Sequence, residues 1–107
     1  MAYYMYQASF TPEAWAKMVR EPQNREAAIR PTIEKLGGRV VGYWMAFGEA
    51  DAVVIVQMPD NVSAAAASLA ATAGGALKSL KTTALMSVEE SMEAMRKAAA
   101  AGYRAPS

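Results

Sequence analysis

The feature that most constrains this chain is the short segment Gly-Glu-Ala-Asp at residues 48–51, which separates two apolar runs. The runs cover residues 39–47 and 52–58. A glycine and an acid between apolar segments of this length are typical of the tip of a β-hairpin. The segment therefore predicts two antiparallel strands in the middle of the chain and places Asp51 beside them.

The other strands and helices follow from the spacing of apolar residues and from the glycines and prolines. Their order is βαββαβ followed by one more helix. This order predicts an α+β sandwich with helices on one face of a four-stranded antiparallel sheet. Right-handed crossovers place strands one and three in the centre. The predicted strands are residues 3–10, 39–47, 51–58 and 77–86, and the predicted helices begin after Thr11, near Asn24, after Asp60 and after Ser87.

Chain length and composition limit the possible functions. The 107 residues predict one domain over 1–102 with a flexible tail over 103–107. Eleven basic and ten acidic residues give a net charge of +1, which offers no electrostatic case for nucleic acid. The chain contains no cysteine and no histidine, so thiolate catalysis, cysteine or histidine metal sites and a serine–histidine triad are excluded. We therefore predict no catalytic constellation, no metal and no cofactor.

The compartment is predicted by default. The first six residues lack the basic lead and apolar core of a secretion signal. No segment stays apolar for the roughly 20 residues that a membrane-spanning helix needs. We therefore expect a cytoplasmic protein without membrane contact.

Strands two and three are apolar on both faces, which predicts a partner. A three-residue turn would place Tyr43 opposite Ile55 and Trp44 opposite Val54. Because helices cover only one face, the second face would leave a large apolar patch in water. We expect a second copy to cover it in a twofold dimer, although the same surface also resembles the lining of a small-molecule pocket. The predicted partner face comprises Tyr43, Met45, Asp51, Val53, Ile55 and Gln57, joined by Lys81, Thr83 and Leu85 and by either Tyr3, Met5 and Gln7 or Tyr4 and Tyr6.

The order and spacing of several short motifs resemble the GYD-domain family. The resemblance spans nearly the whole chain and implies a ferredoxin-like fold akin to dimeric α/β-barrel proteins, without an established activity or cofactor. This chain has Ala50 where the family has the tyrosine that precedes the aspartate, so a function of that hydroxyl is absent or supplied from elsewhere. The motifs are Phe10-Thr11, Pro22 followed by Arg25 and Ala27-Ala28, Glu34 to Gly38, Gly48 to Asp51, Val53 to Val56, Pro59-Asp60, the alanine-rich helix and Thr82-Thr83-Ala84.

Five residues are candidates for ligand binding, each beside a simpler structural role. Asp51 either caps its own turn or serves a ligand or a proton transfer, and we favour the turn. Arg25 either pairs with an acid such as Glu21 or Glu26, caps the broken helix, or binds an anion where the second helix begins. Trp15 fills the space between helix and sheet. The remaining two, Tyr43 and Lys81, lie on the predicted partner face.

Three functions stay open at this point. The first is a non-enzymatic, homo-oligomeric module for assembly or for binding a small apolar molecule. The second is a cofactor-independent enzyme, of the monooxygenase or isomerase type, acting on a small apolar or aromatic compound in the barrel interior, with Asp51 or Tyr43 transferring the proton. The third is a subunit that docks a partner through its C-terminal helix.

Overall fold

The computed structural model describes residues 1–107 and has the predicted order of elements. The four strands form one antiparallel sheet with the order β2-β3-β1-β4, so β1 and β3 are central as expected. The prediction of an α+β, ferredoxin-like βαββαβ sandwich with an extra C-terminal helix is confirmed. The elements are β1 (Ala2–Phe10), α1 (Pro12–Arg20), α2 (Arg25–Lys35), β2 (Arg39–Met45), β3 (Ala52–Met58), α3 (Asn61–Ala73), β4 (Leu77–Leu85) and α4 (Val88–Ala101).

Local side-chain hydrogen bonds fix where each helix begins. The Thr11 hydroxyl accepts from the backbone N–H of Ala14 at 3.1 Å, and Asn24 caps α2 in the same way. The carboxylate of Asp60 accepts from the N–H of Ser63 at 2.7 Å. Each bond satisfies a backbone donor that the helix itself leaves free. At α4 the full capping box forms between Ser87 and Glu90.

The main core lies between the sheet and helices α2 and α3. Tyr4, Tyr6, Val54 and Val56 project from the central strands toward Ile33 of α2 and the alanines of α3. The Tyr6 hydroxyl donates a hydrogen bond of 2.6 Å to the carbonyl of Ala64, and the Tyr4 hydroxyl donates to the side chain of Asn61. The two tyrosines thus attach α3 to the sheet through both apolar and polar contacts.

The hairpin pairing differs from the prediction by one residue. The backbone N–H of Ala46 bonds to the carbonyl of Asp51, so the loop has four residues, and Tyr43 lies opposite Val54. A β-bulge near Val41 shifts the register once more. Because a one-residue slip moves each side chain to the other face of a strand, the predicted positions of Tyr43 and Met45 on the partner face were wrong. Both lie on the face that the helices cover.

Helix α4 projects away from the rest of the protein. It buries none of its residues, and its side-chain hydrogen bonds are all local to the helix. The Cα radius of gyration is 17.1 Å, against roughly 13 Å for a compact chain of this length. None of the helices is both long enough and apolar enough to cross a bilayer.

Candidate functional site

Asp51 lies where β1, α1 and the hairpin meet. Its Oδ2 atom accepts hydrogen bonds from the backbone N–H of Phe10 at 2.9 Å and from the indole Nε1 of Trp15 at 3.1 Å. The Phe10 and Trp15 rings meet edge to face, with centroids 5.3 Å apart. The carboxylate therefore joins α1 to the sheet. The carboxylate does accept a backbone N–H, but from Phe10 of β1 and not from its own turn. Its predicted place on the partner face was wrong, because it faces Trp15 of α1.

Arg25 is a half-buried cation without an acidic partner. It is the first residue of α2, and its guanidinium donates to the side-chain carbonyl of Gln23 at 2.8 Å. No carboxylate lies within 4.0 Å of it, and Glu26 instead pairs with Arg30 at 3.2 Å. The predicted ion pair with Glu21 or Glu26 is therefore not formed.

Tyr43 stands close to Arg25 on the helix-covered face of β2. Burial raises the pKa of its phenol, and the nearby Arg25 charge lowers that pKa by a smaller amount. The hydroxyl therefore stays protonated at neutral pH. In that form it can donate a hydrogen bond to an acceptor placed between α2 and the sheet.

Four of the five predicted binding residues border one groove of about 380 Å³. Asp51 and Trp15 lie at one end, while Arg25 and Tyr43 lie toward α2. The groove combines aromatic surface, a carboxylate and an unpaired cation. The remaining lining residues are Phe10, Met18, Pro22, Gln23, Asn24, Glu26 and Met45.

Lys81 does not belong to this groove. It is exposed on β4 and lies opposite Gln7 of β1. That position is on the opposite face of the sheet, with Val53, Ile55 and Gln57, as the sequence predicted for the partner face.

A second cavity of about 320 Å³ opens between α2 and α3, and we call it the α2–α3 cleft. Fifteen of its eighteen lining residues are hydrophobic, and the other three are Arg25, Thr32 and Gly74. Arg25, Tyr43 and Phe10 line both the cleft and the groove, so the two spaces adjoin there. This cleft was not predicted from the sequence. Its only signal was the alanine-rich α3, whose short side chains leave room beside α2.

The sheet surface away from α1, α2 and α3 is named here the open face. Trp44 is its largest member and is 54% exposed, with its ring above Gly42. Arg39 and Lys81 are the charged residues on this face, and they lie on the two edge strands. The other members are Tyr3, Met5, Gln7, Val53, Ile55, Gln57, Thr83 and Leu85.

No group of three or more acidic side chains is placed to hold a metal ion. The site combines the half-buried Arg25 cation, the Asp51 carboxylate, two polar aromatic side chains and an apolar cleft. Such an arrangement suits binding and orientation of a small molecule.

Comparison with known proteins supports the family of this chain. The chain is 18% identical to a protein of unknown function from Nitrosomonas europaea, whose crystal structure aligns with 80% of this chain and 89% of that chain at a TM-score of 0.44. Among curated proteins none matches. The sequence model of the GYD domain matches residues 4–95. The chain therefore belongs to the GYD domain family.

Proposed function

We propose that this protein is a homo-oligomeric module that assembles through its open face and α4 and binds a small molecule on the helix side of its sheet. The observation that carries the assembly is the apolar stripe of α4, which remains largely exposed in its own chain. Val88, Met92 and Met95 recur at helical spacing and are 74%, 47% and 66% exposed. Apolar stripes of this kind are normally covered.

The open face supplies a complementary surface on a second copy. Its centre is apolar, through Met5, Val53 and Ile55, with Trp44 beside them on β2, and its two charged residues are both basic. Helix α4 carries Glu89, Glu90 and Glu93 in its first two turns. We expect that, when two open faces pack together, the acidic start of each α4 lies near a basic edge strand of the partner. A twofold axis makes both contacts at once.

Light scattering coupled to size-exclusion chromatography tests this assembly at micromolar concentration. We expect a dimer for the full chain. A chain ending at Ser87 is expected to stay folded, because α4 adds nothing to the core, and to elute as a monomer. Its circular dichroism spectrum should lose only the helical signal of α4, and its unfolding should remain cooperative. A chain ending at Gly102 is the control and should remain a dimer. A monomeric full-length chain would contradict the proposal.

The small-molecule part rests on the groove and the α2–α3 cleft, where Asp51, Trp15, Arg25 and Tyr43 come together. We favour binding over catalysis there. Oδ2 of Asp51 already accepts two hydrogen bonds that join α1 to the sheet. The pKa of Tyr43 is raised, which moves it further from the neutral range in which a general base works best. A thermal-shift screen against small metabolites tests binding, and turnover of any compound that stabilises the protein would favour the enzyme alternative.

A further inference from the structure

We infer that the α2–α3 cleft binds a small amphipathic anion, with its apolar body between the two helices and its carboxylate at Arg25 and Tyr43. This inference deepens the small-molecule part of the proposed function and is independent of the assembly. It places the ligand on the side of the sheet opposite to the predicted partner face.

The walls of the cleft select an apolar body. Its floor is formed by side chains of the sheet such as Val54 and Leu80, and Ile29 of α2 forms part of one wall. The α3 wall consists of Ala67, Ala70 and other small residues. About 320 Å³ lies at the lower end of the range for ligand pockets, which suits a short chain or a single ring.

The charge of the ligand follows from Arg25. It is the only charged residue among the eighteen that line the cleft, and no carboxylate of the protein pairs with it. Partial burial removes some of the hydration of a guanidinium, which has a modest cost when no anion replaces the lost water. The cost is larger here because Arg25 is the first residue of α2, where the helix dipole disfavours positive charge. A bound anion would offset both effects.

A carboxylate at this position would also meet a hydrogen-bond donor. The Tyr43 hydroxyl lies near Arg25, is protonated at neutral pH and donates to no acceptor within the protein. One carboxylate oxygen can accept from Tyr43 while the guanidinium binds the head group. Charge-assisted hydrogen bonds of this kind are about twice as strong as neutral ones. The head group should therefore contribute much of the discrimination between ligands.

The test uses octanoate, with 1-octanol as the uncharged probe of the same chain length. Both are titrated into the ¹⁵N-labelled full-length protein at neutral pH and followed by amide chemical shifts. We expect octanoate to perturb the amides of α2 and α3 around Ile29, Ala67 and Ala70, and to bind about tenfold more tightly than 1-octanol. Equal affinity for the two probes would overturn the role of Arg25, and perturbations confined to the open face would overturn the site.

Two pairs of variants separate the contributions of the ligand's head group and of its apolar body to the affinity. Arg25→Gln should bring the octanoate affinity to that of 1-octanol, whereas Lys35→Gln, an exposed change on the same helix, should leave the difference intact. Ala70→Leu should fill the cleft and weaken both probes, whereas Ala65→Leu, on α3 but outside the cleft, should weaken neither. If neither probe binds the wild-type protein, the inference fails, while the assembly is judged separately by light scattering.

Discussion

The indole N–H of Trp15 donates to the same carboxylate oxygen of Asp51 that accepts the backbone N–H of Phe10. One oxygen atom therefore joins α1, the end of β1 and the start of β3. The Phe10 and Trp15 rings pack edge to face beside it. This contact fixes the position of α1, which is short and buries no residue completely.

Replacing Asp51 by alanine should destabilise the fold. The change leaves two donors without an acceptor, one of them on Phe10, which is buried. An unsatisfied buried donor costs about 1–3 kcal/mol, so we expect a loss of that size in the free energy of unfolding. Urea denaturation monitored by circular dichroism measures it.

Glu49→Ala is the matched control for this prediction. Glu49 is exposed in the same loop, and its side chain makes no hydrogen bond. Its replacement should change the free energy of unfolding by no more than about 0.5 kcal/mol. A similarly small effect for Asp51→Ala would show that the carboxylate does not hold α1 in place.

Ionisation of the Tyr6 hydroxyl should lower the stability of the fold at alkaline pH. Burial, with a smaller effect from Tyr4, raises the pKa of Tyr6 to about 12. The ordinary value of about 10 applies to the unfolded chain. Since the folded pKa is the higher one, this contribution to stability is complete below pH ~10 and is lost as the pH rises toward 12.

Tyr6→Phe should therefore flatten the decline in unfolding free energy between pH 10 and 12. At neutral pH it should cost about 0.5–1.5 kcal/mol, because the bond to the Ala64 carbonyl is lost. Tyr103→Phe, at an exposed site, is the control and should keep the wild-type slope. Chemical denaturation across this pH range measures the free energy of unfolding of the wild type and both variants. If Tyr6→Phe loses stability with pH as steeply as the wild type, Tyr6 is not the residue responsible.

The fold was predictable from sequence because its boundaries depend on local chemistry. Thr11, Asp60 and Ser87 each cap a helix through hydrogen bonds within three residues, so their types alone mark the helix starts. Strand order then follows from general rules of connection. None of these signals requires knowledge of distant contacts.

The face of Tyr43 was not predictable in the same way. Its orientation depends on a four-residue loop and on a bulge near Val41, and neither leaves a distinct pattern in the sequence. The α2–α3 cleft depends on the separation of two helices that are distant in the chain. Periodicity identified the helices but carried no information on that spacing.

Protonation of the Asp60 carboxylate should lower the stability of the fold at acidic pH. The N–H and hydroxyl of Ser63 hold the pKa of this carboxyl below its usual range. Since the folded pKa is the lower one, the contribution is present above the ordinary value near 4 and is lost as the pH falls through the folded value. Asp60→Asn retains a capping oxygen but cannot titrate, so it should lose less stability than the wild type between pH 5 and pH 2.5.

Urea denaturation at several pH values in that range measures the effect. Glu34→Gln is the control, because Glu34 is exposed on α2 and its side chain makes no hydrogen bond or ion pair. It should follow the wild-type curve. Parallel curves for Asp60→Asn and the wild type would show that the cap does not depend on charge.

A substitution at Gly42 should alter the open face without unfolding the protein. A Cβ atom at this position would overlap the six-membered ring of Trp44, which would have to move off the strand. Buried tryptophans often dominate the free energy of an interface. We therefore expect Gly42→Ala to raise the dissociation constant of the proposed dimer about tenfold or more, measured by analytical ultracentrifugation over a dilution series.

Gly48→Ala is the matched control, because a Cβ there meets no atom within 4 Å, and it should leave the dissociation constant unchanged. Equal dissociation constants for the two variants would place the interface away from Trp44.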